Sequence, residues 1–221
     1  MSETNKKSSR PTAPGFQNVS RETRQRLEVF ISLLSKWNSR MNLVGSGEIS
    51  RLKDRHIADS LQLLKYIPSG ATSFLDMGSG AGFPGLILAM ALQERKEARF
   101  TLVESNARKC AFLREAARLT DIRVQVLNRR LEDFRPGERV VDLISARALA
   151  SVDKLSHFAQ PFLGINSRCL FLKGQYLDEE LTKASKCWII KSEIHASQTD
   201  PSGKILVVND VQARSGNVNH V

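Results

Sequence analysis

The chain is short of the residues from which disulfide frameworks and metal centres are built. Its three cysteines, Cys110, Cys169 and Cys187, form no C-x-x-C pair, which argues against a redox dithiol or a zinc ribbon. Flanks such as Cys169-Leu170-Phe171-Leu172 read as core, so reduced, buried thiols in a cytosolic protein are expected. The histidines at 56, 157, 195 and 220 have no metal-ligand spacing, and no metal is expected. No run reaches the ~18 apolar residues of a membrane span and no signal peptide opens the sequence, so a cytoplasmic location without a membrane partner is expected. Acidic residues are the scarcer charge, 23 against 33 basic ones, which leaves a net charge of +10. Such a surplus suits a polyanion, nucleic acid first, with an ordinary basic surface as the plain alternative.

The stretch Phe74-Leu75-Asp76-Met77-Gly78-Ser79-Gly80-Ala81-Gly82-Phe83-Pro84-Gly85 organises the rest. It reads as a short buried strand that surfaces at Asp76, a glycine turn and a helix begun by Pro84, the nucleotide-binding corner of a doubly wound α/β domain. Gly80-Ala81-Gly82-Phe83-Pro84-Gly85 formally matches the dinucleotide fingerprint G-x-G-x-x-G. The longer register, Asp76-x-Gly78-x-Gly80-x-Gly82, has an acid before the first glycine. A pyrophosphate disfavours a nearby carboxylate. S-adenosylmethionine (AdoMet) lacks phosphate and carries an ammonium and a sulfonium, so Asp76 favours it. A dehydrogenase stays open as the alternative.

Along the chain, residues 1–18 read as a flexible basic tail and 19–70 as an N-terminal helical extension. Ser20 caps a helix with an apolar face of Leu27, Phe30, Ile31, Leu34 and Trp37, and Ser50 caps a second that runs to about Tyr66. His56, Asp59 and Ser60 share a polar face of that second helix, either packed or lining a site. Residues 71–210 read as the main domain and 211–221 as a second flexible tail. Phe100–Val103 forms a strand with Glu104 at its tip, placed to meet ribose hydroxyls. Ile122–Leu127 leads into Asn128–Phe134 beside an adenine, and Val140–Ser145 ends at Arg147. Cys169–Leu172 has Lys173 at its tip, read as an RNA contact or the edge of the site. Trp188–His195 and Lys204–Val208 flank an Asp200-Pro201-Ser202-Gly203 turn. The sum is an α/β, Rossmann-like, mostly parallel seven-stranded sheet with an antiparallel edge strand.

The motif after the fourth strand bears on the methyl acceptor. Exocyclic-amine methyltransferases usually carry an Asn/Asp-Pro-Pro-aromatic box there, whereas this chain has Ser145-Ala146-Arg147-Ala148. No cysteine occupies a loop suited to a pyrimidine carbon-5 nucleophile. A ring nitrogen with its own lone pair, such as guanine N7, needs neither group and no general base. Together with these features, Asp76–Gly85, Asn128–Phe134, Ser145–Ala148 and Leu172–Gln175 resemble the rRNA small-subunit methyltransferase G family, also called glucose-inhibited division protein B. Trp37–Leu43 and Arg55–Leu61 match its N-terminal part.

The resemblance covers about Arg24 to Val208. It implies AdoMet-dependent methylation of guanine N7 in 16S rRNA, naked or within the small ribosomal subunit, with no obligate protein partner inferred. It places cofactor contacts on Gly78, Phe83, Leu131, Glu132 and Arg147. The reading of the fold adds Asp76, Gly80, Gly82 and Glu104, and gives Arg147 an alignment role toward the base. Rival readings are a methyltransferase of this fold acting on another RNA, and a non-catalytic RNA-binding assembly factor.

Overall fold

A computed structural model describes residues 15–134 and 140–214. Most of the expected basic tail, 1–14, lies outside the described residues, as does 215–221 of the second. Within the first tail, Phe16–Asn18 is a 3-10 turn and Phe16 is buried in the core. Helix α1, Arg21–Met41, starts where Ser20 Oγ accepts from the Thr23 N–H at 3.1 Å, and ends where Asn42 turns left-handed at φ 46°. Its buried stripe of Leu27, Phe30 and Leu34 follows the 3.6-residue period.

The second helical stretch changes its winding along its length. Ser46–Arg51 is 3-10, Leu52–Ile57 is π, α2 (Ala58–Leu61) is α, and Gln62–Tyr66 is 3-10 again. The expected Ser50 cap does not form; its hydroxyl donates to the Gly47 carbonyl instead.

The strands are β1 (Ser73–Met77), β2 (Arg99–Glu104), β3 (Val124–Asn128), β4 (Val141–Arg147), β5 (Leu163–Lys173), β6 (Trp188–Ala196) and β7 (Lys204–Ala213). They form one seven-stranded sheet in the order β3-β2-β1-β4-β5-β7-β6. β1 to β5 pair in parallel, and β7 runs antiparallel between β5 and the outermost strand β6. The turn before β7 forms as its residues suggest, with the Gly203 N–H bonded to the Asp200 carbonyl at 2.9 Å. The remaining helices are α3 (Gly85–Ala91), α4 (Ala107–Leu119), α5 (Val152–Ala159) and α6 (Leu177–Ala184).

Alternation along the strands divides the core in two. Phe74, Phe100, Leu102, Leu143 and Leu170 pack with α1, the second helical stretch, α3 and α4. Leu75, Met77, Val103, Ile144 and Phe171 pack with α5 and α6 on the other face. The N-terminal helices therefore share a core with the sheet. Phe30 meets the edge of Phe83, just past the glycine turn, at 5.6 Å between ring centroids, and Trp37 meets Phe112 of α4 at 5.6 Å. At the base of β1 and β4, Asp142 Oδ2 accepts from the backbone N–H and the hydroxyl of both Thr72 and Ser73. This carboxylate fixes where the two central strands start. β1 and β4 are also where the strand order reverses, so their carboxyl ends frame the ligand crevice.

Candidate active site

A cleft of about 570 Å³ opens at that crevice. Its floor is the glycine turn. The Gly78 and Ser79 N–H groups both bond the Val103 carbonyl, at 2.9 and 3.0 Å, which hooks the turn over β2. Gly80 follows at φ +55°, a conformation that favours glycine. A Cβ there would find only the Gly78 carbonyl within 4 Å, at 3.8 Å, because it would project into the open cleft. The Gly80 N–H is held at 2.9 Å by Glu104 Oε2, while Oε1 accepts from the Asn106 N–H at 2.8 Å. Glu104 is 7% exposed and lines the cleft, an acceptor fixed in place and suited to hydroxyl donors. Leu131 and Glu132, on the 3-10 turn Leu131–Asp133, form one wall.

Of the residues singled out in the sequence, Gly78, Gly80, Phe83, Glu104, Leu131, Glu132 and Arg147 line this cleft, and Asp76, Gly82 and Lys173 do not. The strand does not surface at Asp76. That residue is 3% exposed beneath α3, so close that a Cβ on Gly85 would collide with it. Asp76 Oδ1 accepts from the Ser145 hydroxyl at 2.6 Å, and Oδ2 has no hydrogen-bond partner within normal geometry among the described residues. Burial raises its pKa to about 6, against the opposing effect of the Ser145 hydroxyl. Asp76 thus ties β1 to β4 under the turn. Gly82 faces inward, against Leu86 and Leu113. Lys173 pairs with Glu180 at 2.6 Å and donates to the Ala150 carbonyl at 2.8 Å, on a neighbouring second cleft.

Arg147 is the last residue of β4 and stands between the two clefts, lining both. Its guanidinium lies 3.3 Å from Asp59 Oδ2. Asp59 Oδ1 accepts from Gln62 at 2.5 Å, Thr199 at 3.0 Å and Ser197 at 3.3 Å. One carboxylate thus joins α2 to β4 and to the loop after β6.

His56, left undecided between packing and site, lines the first cleft and packs tilted against Phe83, with ring centroids 5.0 Å apart. Its pKa is lowered to about 4, by burial first and Arg147 next, against the Glu48 hydrogen bond at 2.9 Å. The imidazole is therefore neutral at pH 7. Leu149 and Ala148 also line the cleft, the latter at φ +50°. No residue type in the sequence marks them; only their place after β4 does.

Residues 23–205 match the profile of the family described as rRNA small subunit methyltransferase G. The chain belongs to that family. The ribosomal RNA small subunit methyltransferase G of Gluconobacter oxydans is 50% identical over 192 residues, covering 87% of this chain and 96% of that protein. That of Parvibaculum lavamentivorans is 45% identical over 199 residues, covering 90% and 88%.

Two solved structures share the fold. A TehB-like SAM-dependent methyltransferase from Corynebacterium glutamicum superposes with a TM-score of 0.55 at 13% identity, over 82% of this chain and 98% of that one. The glycopeptide N-methyltransferase MtfA, complexed with S-adenosyl-L-methionine, gives 0.55 at 8% identity, over 70% and 93%. Among methyltransferase G proteins, then, this chain has the AdoMet-type sheet with its glycine turn open to a cleft. Among the described residues no helix is long and apolar enough to cross a membrane, and no cluster of His, Cys, Asp or Glu could hold a metal ion.

Proposed function

We propose that the chain methylates N7 of guanine 527 in 16S rRNA, with AdoMet as methyl donor. The observation that carries the reading is the placement of Glu104 and Arg147 on one cleft, at the carboxyl ends of β2 and β4, the parallel strands on either side of β1, in a member of this family. AdoMet, when bound, supplies an electrophilic methyl group on a sulfonium. The residues fit such a ligand. Glu104 would accept from its ribose hydroxyls, the side-chain-free face of Gly80 would leave room for close approach, and Leu131 and Glu132 would flank its adenine.

Guanine N7 has no proton to lose, so the chain needs no general base, and its task is alignment and electrostatics. Arg147 offers a planar donor fork to the guanine O6 edge or to a phosphate, which orients N7 toward the methyl group. A neutral His56 adds no positive charge to a cleft meant for a cationic cofactor. Purified chain, AdoMet and 16S rRNA, both naked and in assembled small subunits, are to be incubated and the nucleosides analysed by mass spectrometry. New 7-methylguanosine in either form of the RNA is expected; none in either sinks the reading.

A further inference from the structure

Beyond Arg147 lies the second cleft, of about 240 Å³, which shares Arg147 and Ala148 with the first. Four cations line it, Arg55, Arg147, Lys173 and Lys204, against the acids Asp59 and Asp200. Most of this charge is already answered. Arg147 pairs with Asp59, Lys173 with Glu180, and Arg55 with Glu48 at 2.9 Å and Asp200 at 3.9 Å. Lys204 is the exception, half-buried and without an ion pair among the described residues. The antiparallel register of β5 and β7 sets Lys204 directly opposite Lys173. Like charges in that position repel. At Gly174, next to Lys173, an added Cβ would meet nothing within 4 Å, so the cleft is open at this end.

We propose that this second cleft seats a backbone phosphate of the RNA strand, with Lys204 as its principal cation. The assignment rests on the functional reading above and deepens it. A nucleotide whose base reaches the AdoMet cleft past Arg147 carries its own phosphates on the far side of that residue. An anion there relieves the opposition of Lys173 and Lys204, and it finds in Lys204 an ammonium that need not break an existing pair. A phosphodiester is a better match than a carboxylate, because the net charge of the whole chain already favours a polyanion.

The test is Lys204→Gln, assayed on whichever form of 16S rRNA the wild-type chain methylates. Removing one phosphate contact should raise the KM for RNA roughly three- to ten-fold and flatten the log–log salt slope by about 0.7–0.9. AdoMet affinity, read by calorimetry, should stay at the wild-type value. Lys96→Gln is the control, an exposed lysine ahead of β2 at the opposite end of the sheet. It should change neither quantity. An unchanged KM and slope in Lys204→Gln, or an equal change in Lys96→Gln, overturns the assignment. Failure of the wild-type chain to form 7-methylguanosine overturns the functional reading, and this one with it.

Discussion

Burial moves Asp76 and His56 in opposite directions along the pH scale, and the consequences can be separated. Asp76 titrates near 3.8 in the unfolded chain and about 6 in the fold. Between those values the folded state keeps a proton that the unfolded state has released, so this group's contribution to stability declines as pH rises. At pH 7 the charged, fully buried carboxylate costs about 3 kcal/mol, taking 1.36 kcal/mol per pH unit. His56 runs the other way, from 6.5 down to about 4. As pH falls through that window the unfolded chain takes up a proton that the fold resists, and stability drops.

Asp76→Asn removes the first effect alone. Urea unfolding should show the variant gaining about 3 kcal/mol on wild type between pH 4 and pH 7; parallel stability curves would refute the buried charge. Glu104 yields a binding prediction. Hydrogen bonds to a charged acceptor are worth about 1.5–3 kcal/mol, so Glu104→Ala should weaken AdoMet at least about ten-fold. Unchanged affinity by calorimetry would mean that Glu104 does not meet the ribose. The sequence announced Glu104 because a strand-tip acid that far past a glycine turn has one common use. It misplaced Asp76 because a strand-tip acid reads the same whether it turns toward solvent or under the next helix.

At the scale of elements, the stretch 46–66 shows where local pattern stops being informative. α1 begins where the sequence indicates, because Ser20 supplies its own cap, and the Asn106 side chain caps α4 in the same way. The π turn at Leu52–Ile57 has no such local determinant. Its wider winding lies between Glu48, which binds Arg55 and His56, and Asp59, which binds Arg147 of β4, so one partner distant in sequence accompanies it. π turns of this kind recur at functional sites, and here the turn brings His56 to the cleft and leads into α2.

Asp59 should accordingly act through Arg147. Arg147→Lys keeps the charge and loses the fork, and should lose most turnover with AdoMet affinity less affected. Asp59→Asn, which keeps a carbonyl for its hydroxyl partners, should lower turnover by about ten-fold or more through misplacement of the guanidinium. In the double variant the two losses should not add. Full additivity would show that Asp59 serves the fold only, and a wild-type rate in Arg147→Lys would remove the alignment role itself.

For the whole molecule, a net charge of +10 over 221 residues predicts RNA affinity that falls steeply with ionic strength, each neutralised phosphate contributing about −0.7 to −0.9 to the slope. A flat dependence in equilibrium binding would favour a small-molecule or protein acceptor. The placement of β7 between β5 and β6 carries a consequence for synthesis from the N-terminus. Every residue that lines the AdoMet cleft falls between 43 and 158. A nascent chain that has emerged as far as Lys173 holds all of them, yet leaves one side of β5 as a bare edge and Asp59 without Ser197 and Thr199. The cradle for the methyl donor is therefore complete in sequence well before the side facing the acceptor. Closing that side waits for residues 197–208, about 140 positions after the carboxylate they secure. A ribosome translating this message finishes the part of the enzyme that would grip ribosomal RNA last.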